Sequence, residues 1–141
     1  EIISKISKNE HKKFKSINLI ISTDTYLNQL KKTYFNKDHY TDVITFNLED
    51  SNELIEGEIY VSMHRVIDNA DQFNVELNDE LKRIIIHGVL HLMGYNDTEE
   101  HEKFFMTKLC KDISYLPIFR IVFLILFDEP NMFIYSSPNF L

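Results

Sequence analysis

Two histidines stand four residues apart in the stretch HGVLHLMGYND, residues 87–97. The same stretch holds two of the three glycines of the chain and closes on an aspartate. Positions i and i+4 of a helix share a face, so His87 and His91 would aim their imidazoles at one point, a common way to hold a divalent metal. Gly88 would leave room beside that point. Gly94 is placed to stop the helix, because a left-handed backbone costs glycine no strain. The chain can then turn back and bring Asp97 over the helix end. Two imidazoles and one carboxylate leave a fourth position open, which marks a catalytic rather than a structural zinc. A bare histidine pair at this spacing is more often a core or surface pair. The added glycine and aspartate at fixed offsets favour the metal.

The elements that must position this group follow from periodicity. Residues 1–8 alternate apolar and polar, and 9–16 are polar and basic and read as a loop. INLIIS (17–22) is a β-branched strand. Thr23 or Asp24 caps a helix that carries Tyr26, Leu27, Leu30 and Tyr34 at helical spacing. TDVITFN (41–47) alternates as a second strand, with Val43, Thr45 and Asn47 on one face and Ile44 and Phe46 on the other. An acidic loop over 48–56 leads to a third strand, 57–63. Residues 64–73 are helical through Val66, Ile67, Ala70 and Phe73. A helix from about Asn78 to Met93 starts with Asp79 and Glu80, where the dipole favours acids. Its apolar set is Leu81, Ile84, Ile85, Val89 and Leu92. A last helix spans about Thr98 to Asp112, with Phe104, Phe105, Leu109 and Cys110 inward.

A chain of 141 residues with 44% apolar residues suits one domain with one core. The net charge of −7 argues against a non-specific polyanion binder, although lysines gather at 31–37. The lone Cys110 excludes an internal disulfide and a cysteine metal site, and fits a reducing cytoplasm. The N-terminus has no secretory h-region. The tail from Tyr115 is a different kind of sequence. Its apolar run, 118–127, contains Arg120 and is half the ~20 residues of a membrane helix, so a buried strand or a partner-facing segment is expected rather than an anchor. The expected division is a single domain over 1–114 and an extension over 115–141.

The His87–Asp97 spacing matches the metzincin pattern H-E-x-x-H-x-x-G-x-x-H with one difference. Gly88 stands where a metalloprotease needs the glutamate that takes a proton from water. The stretch resembles more closely the signature H-G-x-L-H-L-x-G-Y-D-H of the YbeY family, bacterial rRNA maturation factors described as metal-dependent endoribonucleases. TYFNKDHYTDVITF (33–46) is similar to the family's T-Y-R-x-K-D-x-x-T-D-V-L-S-F, and GEIYVS (57–62) to its G-D-I-x-I-S. Glu102 and Met106 match its E-x-x-x-M. The resemblance covers roughly residues 17–112. It implies an α+β fold, a small mixed sheet with helices packed around it and a metal in the cleft between. It also implies that part of an N-terminal strand and helix is missing here.

Two departures stand out. Asp97 replaces the family's third histidine, so the expected set for one zinc is His87, His91 and Asp97, with His101 as a rival third ligand. Phe35 replaces an arginine that could clamp a phosphate, although a phenyl ring could stack on a base. The implied activity is hydrolysis of single-stranded RNA in the maturation of the 3′ end of small-subunit rRNA and in ribosome quality control, in the cytoplasm and without a membrane. Lys31, Lys32, Lys37 and Arg65 could engage the RNA backbone, and Tyr34, Phe35 and Tyr40 its bases; an ordinary solvated face would look the same. Glu102 and His101 are candidate general bases if the last helix folds over the metal, and Glu58 could support a ligand from behind. The alternatives are a non-catalytic ribosome assembly factor with a structural metal, motivated by Phe35, and a metalloprotease, disfavoured by Gly88.

Overall fold

The computed structural model of the chain describes residues 13–50, 54–115 and 132–136. The elements are β1 (Lys13–Ser22), α1 (Asp24–Phe35), β2 (Val43–Asn47), β3 (Leu54–Ser62), α2 (Met63–Phe73), α3 (Leu77–Leu92), α4 (Glu100–Tyr115) and β4 (Met132–Ser136). Side-chain caps set two of the helix starts. The Thr23 hydroxyl accepts from the Tyr26 amide at 3.3 Å, and the Ser62 hydroxyl accepts from the Arg65 amide at 3.3 Å. Both helices end on an asparagine in the left-handed region, Asn36 and Asn74, each with φ 53°.

The strands form one mixed sheet in the order β2-β3-β1-β4. β1 runs parallel to β3 and β4, and β2 runs antiparallel to β3. This is the expected α+β arrangement. Side chains alternate across a strand. One face presents Ile17, Leu19, Ile55, Ile59 and Val61, which pack with Val66 of α2 and Ile84, Ile85 and Leu92 of α3. The other face carries Phe46 and Tyr60, which meet Tyr26, Tyr34 and Phe35 of α1 in a chain of aromatic contacts. α3 is buried on two sides, because Ile86 and Leu90 join Met106, Leu109 and Cys110 of α4 in a second cluster.

The sheet is longer than periodicity suggests. Residues 13–16 and 54–56, read from sequence as loop, extend β1 and β3 as partners of each other. Lys15 reaches Glu56 across the pair at 2.8 Å, so charges that look loop-like are satisfied within the sheet. Phe104, expected inward, is 73% exposed, while Leu109 and Cys110 of the same helix are buried. β4 lies within the expected 115–141 extension and adds to the sheet edge at β1. The readings for residues 1–8 and for the apolar run 118–127 lie outside the described residues.

Candidate metal centre

α3 carries both histidines, and its ending places the rest. Gly94 has φ 94°, a conformation that a Cβ disfavours. The amide of Gly94 donates to the carbonyl of His91 at 2.9 Å and that of Tyr95 to the carbonyl of Leu90 at 3.0 Å, the paired bonds of a Schellman stop. The reversal turns the Tyr95 carbonyl back onto the helix, where it accepts from Nδ1 of His91 at 2.9 Å. A carbonyl can only accept, so Nδ1 carries a proton, and in the neutral ring it is Nε2 that holds the lone pair.

That lone pair meets its partners. Nε2 of His91 is 3.0 Å from Nε2 of His87, and Asp97 Oδ2 is 3.2 Å from His87 Nε2 and 3.6 Å from His91 Nε2. Ligands about 2.0–2.1 Å from a tetrahedral zinc are separated by roughly 3.3 Å, so these three spacings bracket one face of such a site. Burial, and then the neighbouring His91, hold the His87 imidazole below its ordinary pKa, which favours the neutral, ligating form. The Cys110 sulfur lies 3.9 Å from His87 Nδ1, on the far side of the ring from Nε2 and outside the ligand group, and burial pushes its thiol up to about 11. Two nitrogens and one oxygen suit a divalent transition-metal ion. Among the described residues, His87, His91 and Asp97 are the group arranged to hold a metal.

Gly88 has a different task from the one its position suggests. A Cβ there would come within 2.8 Å of Ile59 Cγ2 and 3.4 Å of Thr45 Cγ2. The glycine faces the sheet, not the metal point, and lets α3 approach β3 closely enough to set the depth of both histidines.

His91 and Asp97 open onto a cleft of about 230 Å³ also lined by Lys31, Phe35, Lys37, Val43, Ile44 and Thr45. Three of the seven residues expected to touch RNA, Lys31, Lys37 and Phe35, therefore share it. Lys32 and Arg65 are not among the lining residues. Lys32 pairs with Asp38 at 3.1 Å, and Arg65 pairs with Asp24 at 3.0 Å and lies over the Tyr40 ring at 5.1 Å. Tyr34 packs edge-on against Phe46.

His101 faces a second hollow with Gly94, Tyr95, Asn96, Glu102 and Phe104, apart from the histidine pair. Glu102 accepts from the amides of Thr98 and Glu99, both at 3.0 Å, so its carboxylate caps α4. Glu58 accepts from the Tyr60 hydroxyl at 2.8 Å on the sheet face away from α3. None of the three belongs to the group, among the described residues, that could hold a metal.

Sequence reading missed a polar network behind His87. Glu80, 2% exposed, accepts from Arg83 Nη2 at 2.7 Å and Nε at 2.8 Å, and Arg83 also reaches Asp42 at 3.5 Å. The readable signal was an i,i+3 acid–base pair on the apolar side of a helix.

Residues 1–115 match the family model described as Endoribonuclease YbeY. The chain belongs to this family. Among the YbeY endoribonucleases, that of Karelsulcia muelleri is 48% identical over 100 residues, 70% of each chain. That of Flavobacterium psychrophilum is 40% identical over 119 residues, 84% of this chain and 83% of the relative. The solution structure of TM1509 from Thermotoga maritima aligns with a TM-score of 0.51 at 32% identity, covering 79% of this chain and 73% of the other. The YbeY match spans every residue of the candidate metal group and stops short of β4.

Proposed function

We propose that this chain is a zinc-dependent endoribonuclease that cleaves single-stranded RNA, with His87, His91 and Asp97 as the protein ligands of one zinc and ribosomal RNA of the small subunit as its substrate in the cytoplasm. The observation that carries the reading is the convergence of two lone-pair nitrogens and one carboxylate oxygen at the wall of an open cleft. The relatives are endoribonucleases by name. No helix among the described residues is long and apolar enough to cross a membrane.

When bound, a zinc ion supplies charge that polarises a phosphoryl oxygen and acidifies water. The chain does the positioning. Tyr95 fixes the His91 tautomer, burial keeps His87 neutral, and the Gly94 reversal delivers Asp97. The exposed Phe35 ring, leaning on Phe46 at 5.7 Å, offers a face for a base at the cleft edge.

Elemental analysis and cleavage assays test this together. The expected result is about one zinc per chain, lost from His87→Ala and from Asp97→Ala but retained in His101→Ala. Cleavage of single-stranded RNA should stop with chelator and in His87→Ala. Cleavage that survives His87→Ala belongs to a contaminating nuclease. The assembly-factor reading has one observation in its favour: Glu102 and Glu58 are both committed elsewhere, which leaves the cleft without a carboxylate base from either. Binding to ribosomal particles with zinc bound and no turnover would favour it.

A further inference from the structure

Lys31 and Lys37 share the cleft with His91 and Asp97. They differ from five other cations among the described residues. Lys15, Lys32, Arg65, Lys82 and Arg83 each have a carboxylate within ion-pair distance. Among the described residues, neither Lys31 nor Lys37 has one. Lys31 is further held in place, since its ammonium donates to Nε2 of His39 at 2.8 Å. Burial, and then the charge of Lys37, lower the Lys31 pKa; Asp42 and Asp97 oppose this more weakly. Two like charges at one cleft, neither within ion-pair distance of a carboxylate, form a site that an anion relieves. A phosphodiester matches it: a single negative charge, several acceptor oxygens, and a backbone that must pass the metal point to be cut.

We propose that Lys31 and Lys37 together grip one backbone phosphate of the RNA strand beside the His87–His91–Asp97 group, with His39 fixing the Lys31 ammonium. This rests on the endoribonuclease reading for its ligand, and it assigns the cationic contact to two residues while releasing Lys32 and Arg65. Lys31 and Phe35 lie four residues apart on α1 and share a helix face, so the cation comes from one turn before the apolar residue at the cleft edge.

The test is the salt dependence of binding, read by fluorescence anisotropy with a short single-stranded oligouridylate carrying 2′-O-methyl groups that slow cleavage. Single-turnover cleavage of the unmodified RNA is followed in parallel. In the Lys31→Ala/Lys37→Ala double variant, the slope of log affinity against log salt should shrink by about 0.7, the value for one single-strand phosphate. Lys31→Gln and Lys37→Gln guard against loss of packing and should behave alike. Lys32→Ala should leave the slope unchanged. Phe35→Arg placed in Lys31→Ala should restore it. His39→Ala should weaken binding at unchanged slope, and His39→Gln, which keeps an acceptor, should not.

An unchanged slope in the double variant overturns the clamp. If the wild type then still cleaves RNA with zinc, the endoribonuclease reading stands without it. If the double variant shows the expected slope loss but the wild type never cleaves, the clamp stands and the activity falls. A wild type that binds no RNA overturns both.

Discussion

A histidine that ligates a metal must be neutral at working pH and must present a chosen nitrogen. The two histidines meet these demands by different means. His91 is oriented by a backbone carbonyl, and His87 is kept neutral by burial and by its neighbour. The second has a consequence for stability. The folded pKa of His87 lies below its unfolded value near 6.5. Below about pH 6.5 the unfolded chain therefore binds the extra proton more readily, and stability falls as pH falls toward the folded pKa. In chelator, the melting temperature of the wild type should drop more steeply between about pH 7 and pH 5 than that of His87→Asn. Parallel profiles would assign the acid sensitivity to other groups. Gly88 gives a second residue-scale expectation. Gly88→Ala must push Ile59 or lift α3, at a cost of about 1–3 kcal/mol by denaturant titration, and zinc affinity should weaken with it because both histidines ride on α3.

The elements differ in how far sequence alone reveals them. The C-terminal end of α3 was legible to within one residue, because glycine suits the φ of 94° that stops it and the histidine spacing fixes the face. The first turns of β1 and the start of β3 were not, since Lys13–Ser16 and Leu54–Glu56 become strand only by pairing with each other across some forty residues of chain. α4 illustrates a different limit. Its period was correct, yet Phe104 points to solvent, since periodicity does not say how wide the buried stripe is. The role of Glu102 was hidden for the same reason that caps often are: the signal is a side chain reaching back to its own backbone. Glu102→Ala should cost about 1 kcal/mol of stability and leave the zinc content intact. If it abolished cleavage without unfolding the chain, the carboxylate would have to be reinstated as the base. The Glu80–Arg83 pair is the stronger structural element. Arg83→Ala leaves a buried carboxylate without its main partner, and the loss should fall near the low end of about 3–5 kcal/mol because Arg83 is 36% exposed. Replacing both residues by methionine should recover most of it.

On the scale of the whole molecule, α3 joins two cores, one against the sheet and one against α4, and the metal group sits where the chain passes from the first to the second. His87 and His91 belong to α3, while Asp97 lies beyond the Gly94 reversal on the way to α4. A zinc bound by all three closes that reversal and couples the two cores, so metal affinity becomes folding free energy. At a free zinc concentration about a hundredfold above Kd, the linkage amounts to about 2.7 kcal/mol. A domain of this size should then melt higher by several degrees, at about 3 °C per kcal/mol. His91→Ala should show no such shift. Asp97→Asn should show a smaller one, since an amide oxygen can occupy the position but lacks the charge. Lys31→Ala should show the full shift, because it lines the cleft without joining the ligand group. Scanning calorimetry of the four proteins separates these cases. A wild-type shift equal to that of His91→Ala would mean that zinc binds elsewhere, and that the histidine pair is held together by packing alone.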